Sequence, residues 1–85
     1  MDIPSDLAIG PDGVVYVADY GRQLILRYNL AGRFLGSFGK PGRGPGEFLG
    51  PRDIAFDRQG HIFIIDSINC RIQEWAYPPA PKKKN

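Results

Sequence analysis

Few side chains in this sequence could carry chemistry, and those few lack the neighbours that chemistry needs. His61 is the one histidine of the 85 residues. It stands beside Gly60 at the head of an apolar run, where an exposed imidazole is the ordinary outcome, and a zinc centre would need two further protein ligands that the local sequence does not supply. Cys70 is the single cysteine, so no intrachain disulfide can form, and no sequence-local histidine is present to activate its thiol. Asp19 and Asp66 could serve as paired carboxylates in acid–base work. Each closes an apolar run, however, where an acid more often caps a turn. The glycine cluster Gly42, Gly44 and Gly46 lacks the Lys-Ser/Thr ending of a phosphate cradle and opens onto no helix. The expectation from these residues is no catalytic set, no metal and no cofactor.

The elements that must position these groups follow from composition. Eleven glycines and eight prolines, about twice the usual share, argue against a helical bundle. Disorder is disfavoured too, because 42% of residues are apolar, 12% are aromatic, and the apolar residues fall in runs between the glycines and prolines. Short strands joined by turns fit best. The formal charge is +2, but Lys82, Lys83 and Lys84 account for three of the eleven bases, leaving eight bases against nine acids in the rest. Such a body is not built to neutralise phosphates, and the lysine run reads as a solubilising terminus. No basic n-region with an apolar core and no apolar run of about 20 residues is present, so neither a signal peptide nor a membrane helix is expected. The compartment stays open.

The most informative feature is internal repetition. Residues 4–28 align with residues 51–75 at a constant shift of 47, without a gap. Identical pairs are Pro4/Pro51, Asp6/Asp53, Ala8/Ala55, Gly13/Gly60, Asp19/Asp66 and Ile25/Ile72. Between them lie like-for-like apolar pairs such as Leu7/Ile54, Val15/Ile62, Val17/Ile64 and Tyr28/Trp75. A period in the forties with glycine and aromatic punctuation marks an array whose units cannot bury their own faces alone.

Each unit reads as three strands, at 6–10, 14–19 and 24–29 in the first copy and at 53–57, 61–66 and 71–76 in the second. Gly13 and Gly60 are the turn positions that need a left-handed backbone. A fourth strand at 33–39 follows the first copy, while in the second its place falls on Pro78, Pro79, Ala80 and Pro81, which break a ladder. Ile65, Ile68, Ile72 and Trp75 also recur at helical spacing, but their repeat partners are strand-like, so strand is expected there as well. The organisation is thus a first unit at 1–39, a Gly/Pro-rich linker at 40–51, an incomplete second unit at 52–77 and an unstructured Pro/Lys tail at 78–85. Phe48 and Leu49 are placed to pin the linker to the interface between units.

The run Gly44-Pro45-Gly46-Glu47-Phe48, with Pro51-Arg52-Asp53-Ile54-Ala55-Phe56-Asp57, Gly60-His61-Ile62-Phe63-Ile64-Ile65-Asp66-Ser67 and Asn69-Cys70-Arg71-Ile72-Gln73, resembles an NHL repeat. The resemblance covers two copies between Pro4 and Trp75. It implies an all-β fold of β-propeller blades, antiparallel and four-stranded, the second lacking its outer strand, from a ring usually of six. It also implies that Asp66 and Arg71 pair across the turn between the second and third strands. The first copy departs from this, with Arg22 in place of Asn69 and Leu24 in place of Arg71, so Asp19 must find another partner, Arg22 being one candidate.

The resemblance further implies an interaction scaffold without chemistry of its own, most simply protein-binding. The alternatives are part of a lyase- or hydrolase-like metal-dependent propeller whose catalytic residues lie in other blades, or an RNA-binding propeller. In the usual propeller layout the linker and the turns at 20–23 and 67–70 share one face. Tyr20, Arg22, Lys40, Arg43, Arg52 and Asn69 form that candidate binding face, with Glu47 its main acid. Two blades leave apolar faces open, so the expected partners include further blades, from a longer chain or from a homotrimer closing six.

Overall fold

Alternating β-branched and aromatic residues do pair as ladders. The computed structural model describes residues 2–76, and within them seven strands form two antiparallel sheets. The Pro78-to-Pro81 stretch and the lysine tail lie outside the described residues. The first sheet has the order β1 (Pro4–Ile9), β2 (Val15–Asp19), β3 (Leu24–Tyr28), β4 (Phe34–Phe38). The second has β5 (Pro51–Phe56), β6 (Ile62–Asp66), β7 (Arg71–Trp75). The stretch with competing helical spacing is strand, and Ile65 lies opposite Ile72 in the β6–β7 register.

The two copies repeat each other in detail. Gly13 and Gly60 close equivalent hairpins with φ of 82° and 85°, which an L side chain adopts only under strain. Both inner strands carry an irregularity at the same place, between Pro4 and Asp6 and between Pro51 and Asp53, which leaves Ser5 and Arg52 as the extra residues. At the β3–β4 turn, Asn29 Oδ1 accepts the N–H groups of Ala31 and Arg33, each at 2.9 Å, as expected for a short polar side chain at such a turn.

Successive side chains point to opposite faces of a sheet, so each sheet presents two apolar faces, and one from each meets in the core. The first sheet contributes Tyr16, Ala18 and Ile25, the second Ile54, Ile62, Ile64 and Trp75, and Phe48 of the linker joins the cluster. Ala8, Val14, Phe38 and Phe56 pack around it. Aromatic contacts hold the seam: Tyr16 against Phe56 at 5.1 Å, Phe38 against Trp75 at 4.6 Å, and Phe48 stacked on Trp75 at 6.0 Å. Burial pushes the Tyr16 phenol up, outweighing the Arg27 guanidinium above its ring. The inner strands β1 and β5 lie side by side and are latched by two hydrogen bonds: Ser5 Oγ donates to the Pro51 carbonyl at 2.8 Å, and Asp6 Oδ2 accepts the Ile54 N–H at 3.0 Å.

Candidate functional site

The loop end of the sheets is organised around two fully buried carboxylates, Asp19 and Asp66. A buried charge is tolerated only when surrounded by donors, and both are. Asp66 accepts the N–H groups of Leu49 at 3.1 Å and Gly50 at 2.8 Å, and the Asn69 amide at 2.7 Å. Asp19 accepts the N–H groups of Asp2 at 2.8 Å, Ile3 at 3.0 Å and Arg22 at 3.1 Å. Under the shift of 47, Asp2 and Ile3 are the counterparts of Leu49 and Gly50. Each acid thus pins the segment that enters its own inner strand, besides capping its turn. Burial opposes ionisation of Asp19, but these three donors outweigh it and hold the carboxyl below its ordinary range. Arg22 reaches Asp19 through its main-chain N–H, so the vacancy left by Leu24 is filled by backbone.

Arg71 does pair with Asp66, its Nε lying 3.7 Å from Oδ2, too long for a hydrogen bond. Its main work is elsewhere. Nη1 donates to the Arg43 carbonyl at 3.0 Å, and Nη2 to the carbonyls of Gly44 at 2.8 Å and Glu47 at 2.7 Å. Gln73 holds the same loop, donating to the Glu47 carbonyl at 2.6 Å and accepting the Gly46 N–H at 3.2 Å. Asn69 donates to the Gly42 carbonyl at 3.0 Å. Glu47 Oε1 accepts the Gly44 N–H at 2.9 Å. A glycine-rich segment of low intrinsic order is thereby given one shape by four polar side chains. Phe48, fully buried, anchors it to the core, and Leu49 is half-buried beside it.

The candidate face divides accordingly. Asn69 is committed to the loop and to Asp66. Lys40 is exposed and sits 3.8 Å from Glu47, a surface contact that contributes at most about 1 kcal/mol. Arg52, exposed on β5, lies over the Tyr20 ring at 5.5 Å, so these two come together across the sheets. Arg22 and Arg43 are exposed. Inspection of the sequence alone missed Gln73 and Asp6; the identity of Asp6 and Asp53 was the signal available for the second.

The residues first weighed for chemistry are held structurally. His61 Nδ1 is 2.8 Å from Asp57 Oδ2, and its Nε2 is 3.7 Å from Glu74. It is therefore half-buried and engaged rather than simply exposed. Burial opposes ionisation of Asp57, but the His61 N–H and ring hold its carboxyl low. Cys70 is exposed at a turn with φ of 54°. Among the described residues no three of His, Cys, Asp and Glu cluster to hold a metal ion.

Two antiparallel sheets stacked through one apolar face each, with inner strands adjacent and a linker running from the outer edge of one to the inner edge of the next, are neighbouring blades of a β-propeller. A family described as 6-bladed beta-propeller matches residues 7–75, and the chain belongs to that family.

Proposed function

We propose that the chain is a pair of NHL-type blades serving as a non-catalytic interaction scaffold, whose loop end binds an acidic protein surface. The observation that carries this reading is the division of labour among the loop-end side chains. Asp19, Asp66, Asn69, Arg71 and Gln73 are spent on holding backbone, while Arg22, Arg43 and Arg52, the last lying over the half-buried Tyr20 ring, stand exposed around that frame. Guanidinium groups present forked donors suited to carboxylates, and Arg52 over an aromatic ring is already oriented. The NHL reading is supported by the gathering of Asn69 and Arg71 on Asp66 and on the Gly-Pro-Gly-Glu-Phe linker, which gives those motif positions a common structural task.

Amide NMR titration with a Glu/Asp-rich peptide, and separately with poly(U), tests the reading. Shifts confined to Tyr20, Arg22, Arg43 and Arg52 on adding the peptide, lost in an Arg22→Glu/Arg52→Glu variant, are the expected result. Absence of shifts with the peptide overturns it. Preference for poly(U) with a steep fall in affinity on adding salt overturns it in favour of RNA.

A further inference from the structure

At the loop end the turn of each blade meets the segment that enters it, and the shift of 47 shows an exchange between the two. In the first blade the entry residue is Ile3 and the turn residue is Gly21; at the same two places the second blade has Gly50 and Ile68. A Cβ on Gly50 would stand 2.9 Å from Ile68 Cγ1, and one on Gly21 would stand 2.6 Å from the Asp2 carboxylate. The isoleucine changes sides, yet in both blades it stays at the loop end, with 54% of Ile3 and 49% of Ile68 in solvent. The blade accepts glycine at either place, so its architecture does not require these apolar side chains.

The two turns are drawn to one segment. Gln23 Nε2 donates to the Leu49 carbonyl at 3.5 Å, and the N–H and Oγ of Ser67 donate to the Gly50 carbonyl at 2.8 Å and 3.0 Å. The turn at 20–23 in the first blade and the turn at 67–70 in the second therefore flank residues 49–52. Ile68 lies over Gly50 on one side, and the Tyr20 ring lies under Arg52 on the other, with half-buried Leu49 nearby. The result is a strip with an aliphatic end at Ile68 and a guanidinium end at Arg22 and Arg52, both exposed. The acids beneath it, Asp19 and Asp66, are buried and engaged by donors. Asp2, against Gly21, is an acid at its edge, whereas Asp53 lines the groove on the open side of the second sheet.

We propose that this strip selects, among acidic partners, an extended segment that carries a bulky apolar residue beside its carboxylates. The apolar residue seats on Ile68 and Leu49, and the carboxylates pair with Arg22 and Arg52. The proposal rests on the acidic-surface reading and narrows it to a sequence class. Complementarity names the occupant: an apolar side chain alone would leave the guanidinium groups unmatched, and an acidic chain alone would leave Ile68 in water. Tyr20, the aromatic of the strip, is half-buried with Arg52 over its ring, so it offers a poor stacking platform for a base.

Isothermal titration of the full chain with two peptides of equal length and equal Asp/Glu content, one with a central leucine and one with serine in its place, provides the test. The leucine peptide should bind about tenfold more tightly, the scale of burying much of one aliphatic side chain. In Ile68→Ser the ratio between the peptides should shrink to less than about twofold, the signature of direct coupling. Ile68→Gly, which copies the residue of the first blade, should give the same readout and remains decisive if serine disturbs the turn. Ile72→Ser, on the open face of the second sheet, should keep the full ratio. Equal binding of the two peptides overturns the proposal and leaves the acidic-surface reading standing, whereas binding of neither overturns both. Loss of the ratio in Ile72→Ser but not in Ile68→Ser overturns it by placing the leucine on the open sheet face. Tighter binding of poly(U) than of the leucine peptide overturns it in favour of RNA.

Discussion

Arg71 and Leu24 occupy the same place on equivalent strands, yet one gathers three carbonyls of a preceding loop and the other is a half-buried aliphatic. The same holds one step further, where Gln73 answers to Leu26, and at the turn, where Asn69 answers to Arg22. Both sheets nevertheless share strand lengths, hairpin glycines, inner-strand irregularity and a buried acid. The difference separates two layers of specification. Apolar alternation and the acid define a blade, whereas the polar residues at 69, 71 and 73 define the shape of the loop that enters it.

The largest effect that sharpens this comparison comes from the acids. Asp66→Ala strands the main-chain amides of half-buried Leu49 and buried Gly50 together with the Asn69 side-chain amide, removes the counter-ion of Arg71, and should cost about 3 kcal/mol in urea unfolding. Asp19→Ala strands three main-chain donors but no guanidinium, and should cost about 2 kcal/mol. Equal losses would break the distinction between an acid held by backbone alone and one that also organises side chains. A middle effect is expected from Arg71→Leu, which gives the second blade the first blade's residue. It should cost about 1 to 2 kcal/mol and accelerate amide exchange at Gly44 and Gly46, leaving the β5–β6 ladder protected. The smallest effect is on pH dependence. Because the Asp19 carboxyl is held below its unfolded value, its contribution is present above that value and is lost as pH falls through the lower folded one. An Asp19→Asn variant, less stable at neutral pH, should therefore show a shallower loss of stability below about pH 4 in acid titrations followed by circular dichroism.

Most of the fold was legible in the sequence because it depends on periodicity. Val15, Val17 and Ile62, Ile64 alternate with period two, and the 47-residue register removed the helical reading of Ile65, Ile68 and Ile72. Phe48 was legible as an anchor because a lone aromatic among glycines has nowhere else to go. The loop-end chemistry was legible only in part. Asp66 and Arg71 were read as a pair, but the stronger partners of Arg71 are main-chain carbonyls, which every residue possesses and no sequence distinguishes. The Asp6 latch was hidden for the same reason, since its partner is the amide of Ile54.

The spacing of these hydrogen bonds also implies an order of assembly. The bonds from Asp19 and Asp66 to their entry segments span 16 or 17 residues, whereas the latch between inner strands spans 46 and 48. Closing the longer loop costs roughly 1 kcal/mol more in chain entropy, before any contact between the sheets has formed to offset it. Each blade can therefore gather its own threshold first, and the seam between blades closes late. Mutations at the seam should accordingly act on the rate at which the sheets part rather than on the rate at which each one forms.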